Sequence, residues 1–252
     1  MTTKEMVEKL REFSVPELCD GMEEPRVMDY QVKPLAAGRK IVGPAYTVDP
    51  PYGVSGIIPE ALLKVKGDVM VVAGKGECNH SYWGDHRSIC AKLQGVEGVV
   101  IDGAFRDIEG CRKAKVPIYA KSVIPQSCKK QAEGELNVPV ECAGVEVHPG
   151  DLIVGDENGV CVIRPEEVES IIKKSERKIK AQNETIDEML RTGKEKSFRK
   201  LFLRINNKKQ MGLFQKGMSS LFYAILRNAM LHFIIRATKE KIYKITRTGY
   251  GE

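Results

Sequence analysis

The chain has 252 residues, 42% of them hydrophobic and 29% charged, with a formal net charge of +6; that length is enough to bury a substantial core. The charge is uneven, because residues 195–252 carry thirteen Lys/Arg against three Asp/Glu, a net of about +10 that leaves residues 1–194 at about −4. The basic surplus belongs to the C-terminal end, so it gives no ground for expecting nucleic-acid binding by the main body.

Residues 3–12 have helical spacing, and Ser14-Val15-Pro16-Glu17 is a capping-box signature opening a second short helix that ends near Asp20-Gly21. The two form an N-terminal lid or packing layer. Residues 40–48 have the β-branched content of a strand, with Gly43-Pro44 marking a bulge or edge position. Pro50 to Gly53 is a loop, and Ser55 is placed to cap a helix through Leu63. Gly67-Asp68 turns the chain into the apolar strand 69–74. Gly74-Lys75-Gly76 invites a phosphate-loop reading, but the pattern G-x-x-x-x-G-K-[ST] is absent and the expectation is an ordinary flexible loop. The dinucleotide fingerprint also fails, since Asn79 stands where its third glycine belongs.

The densest stretch is 83–107, WGDHRSICAKLQGVEGVVIDGAFRD. Asp85 sits at the start of a helix over 86–93, whose first-turn amides attract carboxylates and phosphates. The chain turns at Gly95 to Gly98, runs as a buried strand over 99–102, and enters a second helix near Arg106-Asp107. Both helix starts are then expected at one edge of a sheet, where α/β proteins bind ligands. Taken singly, Asp85 reads as a helix cap, Asp102 before glycine as a turn residue, and Arg106 beside Asp107 as a solvated pair. Their convergence on one edge favours a site. His80 and His86 do not have a zinc-ligand spacing, and Cys78 and Cys90 complete no finger or ribbon; Asn79 and His80 are expected to line a pocket mouth or pack beside Trp83.

A helix over 108–114, a strand over 117–121 and a loop bearing Pro125 follow. Residues 138–164 alternate as a small antiparallel β unit, with turns at His148 to Asp151 and Glu157 to Gly159. Pro165 opens a long charged helix through about Leu190. All twelve prolines lie at or before Pro165, and five of the seven phenylalanines at or after Phe198. We therefore expect a main α/β domain over 1–193 and a basic amphipathic extension over 194–252, which has the character of a membrane-surface or anionic-partner helix or of an accessory segment. Seven scattered cysteines without a C-x-x-C pair, and no signal-peptide pattern, suit a reduced cytoplasmic protein. The nearest approach to a spanning helix, Leu221 to Ile235, is broken by Arg227, Asn228 and His232.

The spacing of Asp85, twenty residues, then Arg106-Asp107, inside W-G-[DE] … V-x-D-G-A-x-R-D and followed by P-[IV]-x-A and G-V-x-V-x-P-G-D, resembles the 4-hydroxy-4-methyl-2-oxoglutarate aldolase family, which is related to the regulator of ribonuclease E activity A. The similarity runs from about Val15 to Glu184. It implies a swivelling β/β/α domain, a homotrimer with sites between subunits, and a divalent-metal-dependent aldolase that releases pyruvate from 4-hydroxy-2-oxo acids and decarboxylates oxaloacetate. By the resemblance Asp107 is the protein ligand to Mg2+ or Mn2+, Arg106 holds the keto-acid oxygens, and Gly84, Asp85, His86 and Arg87 form the other wall, with Asp85 also orienting a water. The family usually has apolar residues where this chain has His86 and Arg87, which bears on substrate preference. In the family a carboxylate from a neighbouring subunit's C-terminal region approaches the site, and Glu184 is the loosely matched candidate for it here. The sister branch, a non-catalytic regulator of an RNA-processing ribonuclease, is the alternative function.

Overall fold

The computed structural model describes residues 1–36 and 40–192, so the expectations for the basic extension lie outside the described residues. Met1–Asn183 forms one compact unit. Among the described residues no helix is long and apolar enough to cross a membrane.

The first unit opens with α1 (Thr3–Leu10) and α2 (Val15–Gly21). Both carry a complete capping box; at α2 the Glu17 carboxylate accepts from the Ser14 amide at 2.7 Å. Strand β1 (Lys33–Ala36) and β2 (Ile41–Asp49) lead to α3 (Ile58–Lys64) and the long β3 (Val69–Trp83). Then come α4 (Asp85–Gln94), β4 (Gly98–Phe105), α5 (Ile108–Ala114), β5 (Ile118–Val123) and the short β6 (Glu135–Leu136). A hairpin of β7 (Val140–Cys142) and β8 (Val145–Val147), a second of β9 (Leu152–Asp156) and β10 (Gly159–Ile163), a 3-10 turn at Pro165–Glu167 and α6 (Val168–Thr192), which runs past the end of this unit at Asn183, follow.

The main sheet has the order β1-β5-β4-β3-β2-β9-β10, with β6 pairing β2. β2 to β5 run parallel through their helical crossovers, and the hairpin β9-β10 adds on antiparallel. The ends of this order approach each other: Val27 bridges Cys161 of β10 just before the chain enters β1, and the Val162 amide donates to Arg26 O at 2.9 Å. The sheet is therefore close to a barrel, which leaves little open edge.

Alternation sorts β3 between two cores. Val69, Val71 and Ala73 face inward with Val100, Tyr119, Ile153 and the β7-β8 hairpin. Met70 and Val72 face outward against α3, α4 and α5, with Trp83, Phe105 and Cys111. A third core joins Leu10, Leu18, Val42, Leu152, Ile163, Ile171 and Ile172, so α1 and α2 are a packing layer on β9, β10 and α6.

Several local expectations change. Pro44 lies on a central strand, at the last β2 residue paired with β9, immediately before pairing with β3 begins at Ala45; a residue without an N–H fits where the ladder changes partner. Ser55 does not cap α3, whose N-cap is Ile57 without a side-chain bond. The 138–164 segment is not one unit: β7-β8 pairs only with itself, across a turn in which Ala143 and Gly144 both have positive φ, whereas β9-β10 joins the main sheet.

The largest difference concerns 74–76. That triplet lies inside β3, with Lys75 at φ 58° and Gly76 at φ 72°. Between the Val72–Ile101 and Trp83–Phe105 pairs lie ten residues of β3 and three of β4. The excess is an extended bulge whose ends return to register. It requires glycine at 74, where a Cβ would stand 2.6 Å from Asp102 O. β4 likewise continues past Asp102 to Phe105 rather than ending at the Asp102-Gly103 turn.

Candidate active site

Register restored at Trp83–Phe105 brings the two parallel strands to the same level, and the Arg106 amide donates to Trp83 O at 3.0 Å. The residues that follow, Gly84-Asp85 and Arg106-Asp107, are thus held side by side at the starts of α4 and α5. A cavity of about 160 Å3 lies there, lined by Gly84, Asp85, His86, Arg87, Arg106 and Asp107, and by Ser55, Ser81, Trp83, Ser127, Cys128 and Lys130. All six residues singled out from the sequence line this one cavity.

Close packing sets the separation of the helix starts. A Cβ on Gly84 would lie 2.7 Å from Asp107 Oδ2, and one on Gly110 only 2.4 Å from Asp85 Cβ. Asp107, the N-cap of α5, has φ 57° and ψ 47°, a left-handed conformation that Asp tolerates better than most residues. Its side chain does not cap the helix. Instead Oδ2 sits 3.1 Å from Arg106 Nε, with both side chains about 40% exposed (41% and 40%). The carboxylate therefore keeps lone pairs directed at the cavity.

Asp85 is the first helical residue of α4, behind the N-cap Gly84, and makes no capping bond to the next turn. Its Oδ1 accepts from the adjacent His86 amide at 2.7 Å. The remaining first-turn amides of α4 have no intrahelical acceptor. The His86 side chain is 96% exposed and among the described residues contacts only its own Asp85 neighbour, with Nδ1 3.6 Å from Oδ1. Arg87 turns inward: its guanidinium donates to Tyr82 O, to Ser55 O at 2.8 Å and to Ser55 Oγ at 3.2 Å. Burial lowers its pKa to about 10, which still leaves it cationic at neutral pH. The same burial raises Cys128 to about 11 and pushes Cys111 up, so neither thiol is poised as a nucleophile.

Sequence reasoning missed Ser55, Ser81, Ser127, Cys128 and Lys130. They reach the cavity through long-range pairing, with bridges Val54–Lys129 and Ser81–Ser127 and a Ser55 amide bond to Lys129 O at 2.9 Å. No local motif announces such contacts. His80 and Asn79, in contrast, are held by Glu77 within the β3 bulge, whose carboxylate accepts the His80 amide at 3.2 Å, and do not line the cavity. Asp102 is buried in β4, 2.7 Å from Lys121 Nζ, and accepts the Ala143 amide at 3.0 Å, so it braces the β7-β8 turn. It faces a larger hollow of about 760 Å3 lined also by Asp29, Asp49, Lys75 and Lys121. There Lys121 lies 3.3 Å from Asp29 and Lys75 lies 3.1 Å from Asp49, so its cations are already paired. Glu184 is an exposed residue of α6.

A near-barrel α/β sheet with helix starts converging on a small polar cavity defines the class to which the chain is most similar. The RraA-like family, described as Aldolase/RraA, matches residues 15–162, and the chain belongs to that family. An uncharacterized protein of Methanocaldococcus jannaschii is 42% identical over 180 residues, covering 68% of this chain and 85% of that protein. A Halalkalibacterium halodurans protein named "Putative 4-hydroxy-4-methyl-2-oxoglutarate aldolase" is 36% identical, covering 66% and 80%. Among solved structures, the RNA-processing inhibitor RraA of a Thermus species superimposes with a TM-score of 0.57 at 26% identity, covering 60% of this chain and 93% of that one.

Proposed function

We propose that the chain is a divalent-metal-dependent lyase that cleaves 4-hydroxy-2-oxo acids of the 4-hydroxy-4-methyl-2-oxoglutarate type to pyruvate, and that it also decarboxylates oxaloacetate. The observation that carries this reading is the meeting of Asp85 with Arg106-Asp107 around one small cavity, together with relatives named as aldolases. The donor set suits a hard cation. Asp107 offers a half-exposed carboxylate, and among the described residues no group of three or more His, Cys, Asp or Glu forms a closed cage. Magnesium, which keeps several waters and needs only one or two carboxylates, fits such a site better than zinc. Asp107 would hold it, and when bound it supplies Lewis-acid stabilisation of negative charge on the substrate oxygens.

The remaining roles belong to the chain. The first-turn amides of α4 receive the C1 carboxylate. The planar Arg106 fork, aligned by Asp107, donates to the C2 oxygen, where charge develops. Asp85 accepts the C4 hydroxyl proton through a water; the C3–C4 bond breaks, its electron pair moves to give the enolate of pyruvate, and C4 leaves as a carbonyl. Protonation at C3 completes pyruvate. Loss of CO2 from oxaloacetate gives the same enolate, so one site serves both reactions. No Schiff-base lysine is required.

A homotrimer is part of this proposal. It is supported by Ile89 and Leu93, which are 49% and 80% exposed one and two turns after Asp85 on α4, an apolar stripe beside the site that a second copy would cover. Light scattering in solution checks it, and a monomer would refute it. The alternative, a regulator of an RNA-processing enzyme, is favoured by the likeness to RraA structures. Pyruvate release from oxaloacetate with Mg2+, with and without EDTA and corrected for metal-only decarboxylation, separates the two. A protein-dependent, EDTA-sensitive rate is expected; its absence would leave the regulator reading.

A further inference from the structure

Several polar groups of the cavity are unused by the reaction outlined above, among them Ser81. Ser81 is 4% exposed and lines the cavity, and its Oγ is buried without a hydrogen-bond partner. The residue cannot swing away. Its amide donates to Gln126 O at 2.7 Å, its carbonyl accepts from the Cys128 amide at 3.2 Å, and it pairs with Ala104 across β3-β4. Native proteins pair nearly all buried hydroxyls, because an unpaired one keeps its full desolvation cost. Because Ser81 lines the cavity, a group bound there can supply the partner.

Charge indicates its kind. Arg87, which donates to the carbonyl of the adjoining Tyr82 and to Ser55, has no carboxylate partner among the described residues, and neither does Lys130. Ser55, Ser81, Arg87, Ser127 and Lys130 thus give this part of the lining hydroxyls and cations without an acid. The two acids, Asp85 and Asp107, belong to the helix starts. The cavity, about 160 Å3, corresponds to roughly five waters, which suits a short-chain acid and excludes a large one.

We propose that Ser81 is a specificity-determining residue whose hydroxyl, together with the Arg87 guanidinium, receives a second carboxylate on the substrate beyond its 2-oxo acid head. This rests on the cavity being the substrate site. The serine lies in the β3 bulge, four residues before Asp85 and outside the Asp85 and Arg106-Asp107 spacing pattern.

Calorimetric titration of the full chain in Mg2+ with 2-oxoglutarate and with pyruvate tests it, using wild type, Ser81→Ala and Ser81→Thr. Wild type is expected to prefer the diacid. Ser81→Ala should weaken 2-oxoglutarate by about tenfold and leave pyruvate within about twofold, and Ser81→Thr should recover part of the loss. The unliganded Ser81→Ala protein should melt at or above the wild-type temperature, because it loses a hydroxyl that has no partner. Equal binding of the two acids by wild type, binding of neither, an unchanged or equally weakened Ser81→Ala, or a lowered melting temperature would each overturn the proposal. The lyase reading fails on a different result: diacid binding that depends on Ser81 without EDTA-sensitive pyruvate release would remove the lyase and keep this assignment.

Discussion

Asp107 adopts a left-handed backbone conformation, and residues held there cluster at functional sites. Asn tolerates that conformation as well as Asp does, so Asp107→Asn removes charge without new strain. It is expected to keep the wild-type melting temperature and to lose about 100-fold or more of the EDTA-sensitive rate; full activity would refute the ligand role. Arg106 forms a half-exposed pair with Asp107, worth about 0–1 kcal/mol to stability. Arg106→Lys should therefore leave stability unchanged while kcat/KM falls by about 100-fold, since an ammonium cannot reproduce the planar fork. Gly84 gives the sharpest separation of fold from function. Its backbone is extended and any residue adopts it, but an added Cβ meets the movable Asp107 carboxylate at 2.7 Å. Gly84→Ala should fold normally and turn over poorly, and near-normal kcat would show that the carboxylate position is unimportant.

At the scale of elements, the site depends on α4 and α5 starting side by side. Gly110 permits this, since a Cβ there would meet Asp85 Cβ at 2.4 Å, a contact that no flexible side-chain end can relieve. Gly110→Ala is expected to push the helices apart and cost about 1–3 kcal/mol in chemical denaturation; an unaltered unfolding midpoint would contradict the packing. The helices α2 and α4 were legible because a capping box and a glycine stop are local chemistry. The course of β3 was not. Gly74-Lys75-Gly76 has the composition of a loop, and it remains strand because β4 runs beside it and buries Glu77 and Tyr82. For the same reason Ser55 looked like a cap: the serine was recognisable, but its partner, Arg87, is thirty-two residues away.

At the scale of the molecule, the described packing of α6 against the first unit ends with Ile179 in the core that also holds Val168, Ile171 and Ile172. Truncation after Gly193 should accordingly leave a folded protein with the wild-type rate of pyruvate release; an insoluble product would place the domain boundary further along the chain. Read alone, the sequence determined the starts of α2 and α4, the alternation of strands and helices through the centre of the chain, the family, and six of the residues that line the cavity. Those follow from local capping, hydrophobic alternation and a spaced motif, all of which a single segment carries. Only the tertiary structure decided that the sheet nearly closes, that β3 bulges and returns to register so that Gly84 meets Asp107, and that Ser55, Ser81, Ser127 and Lys130 complete the cavity. Each of those depends on pairing between segments distant in the chain, where the physical cause is a neighbour that no local pattern names.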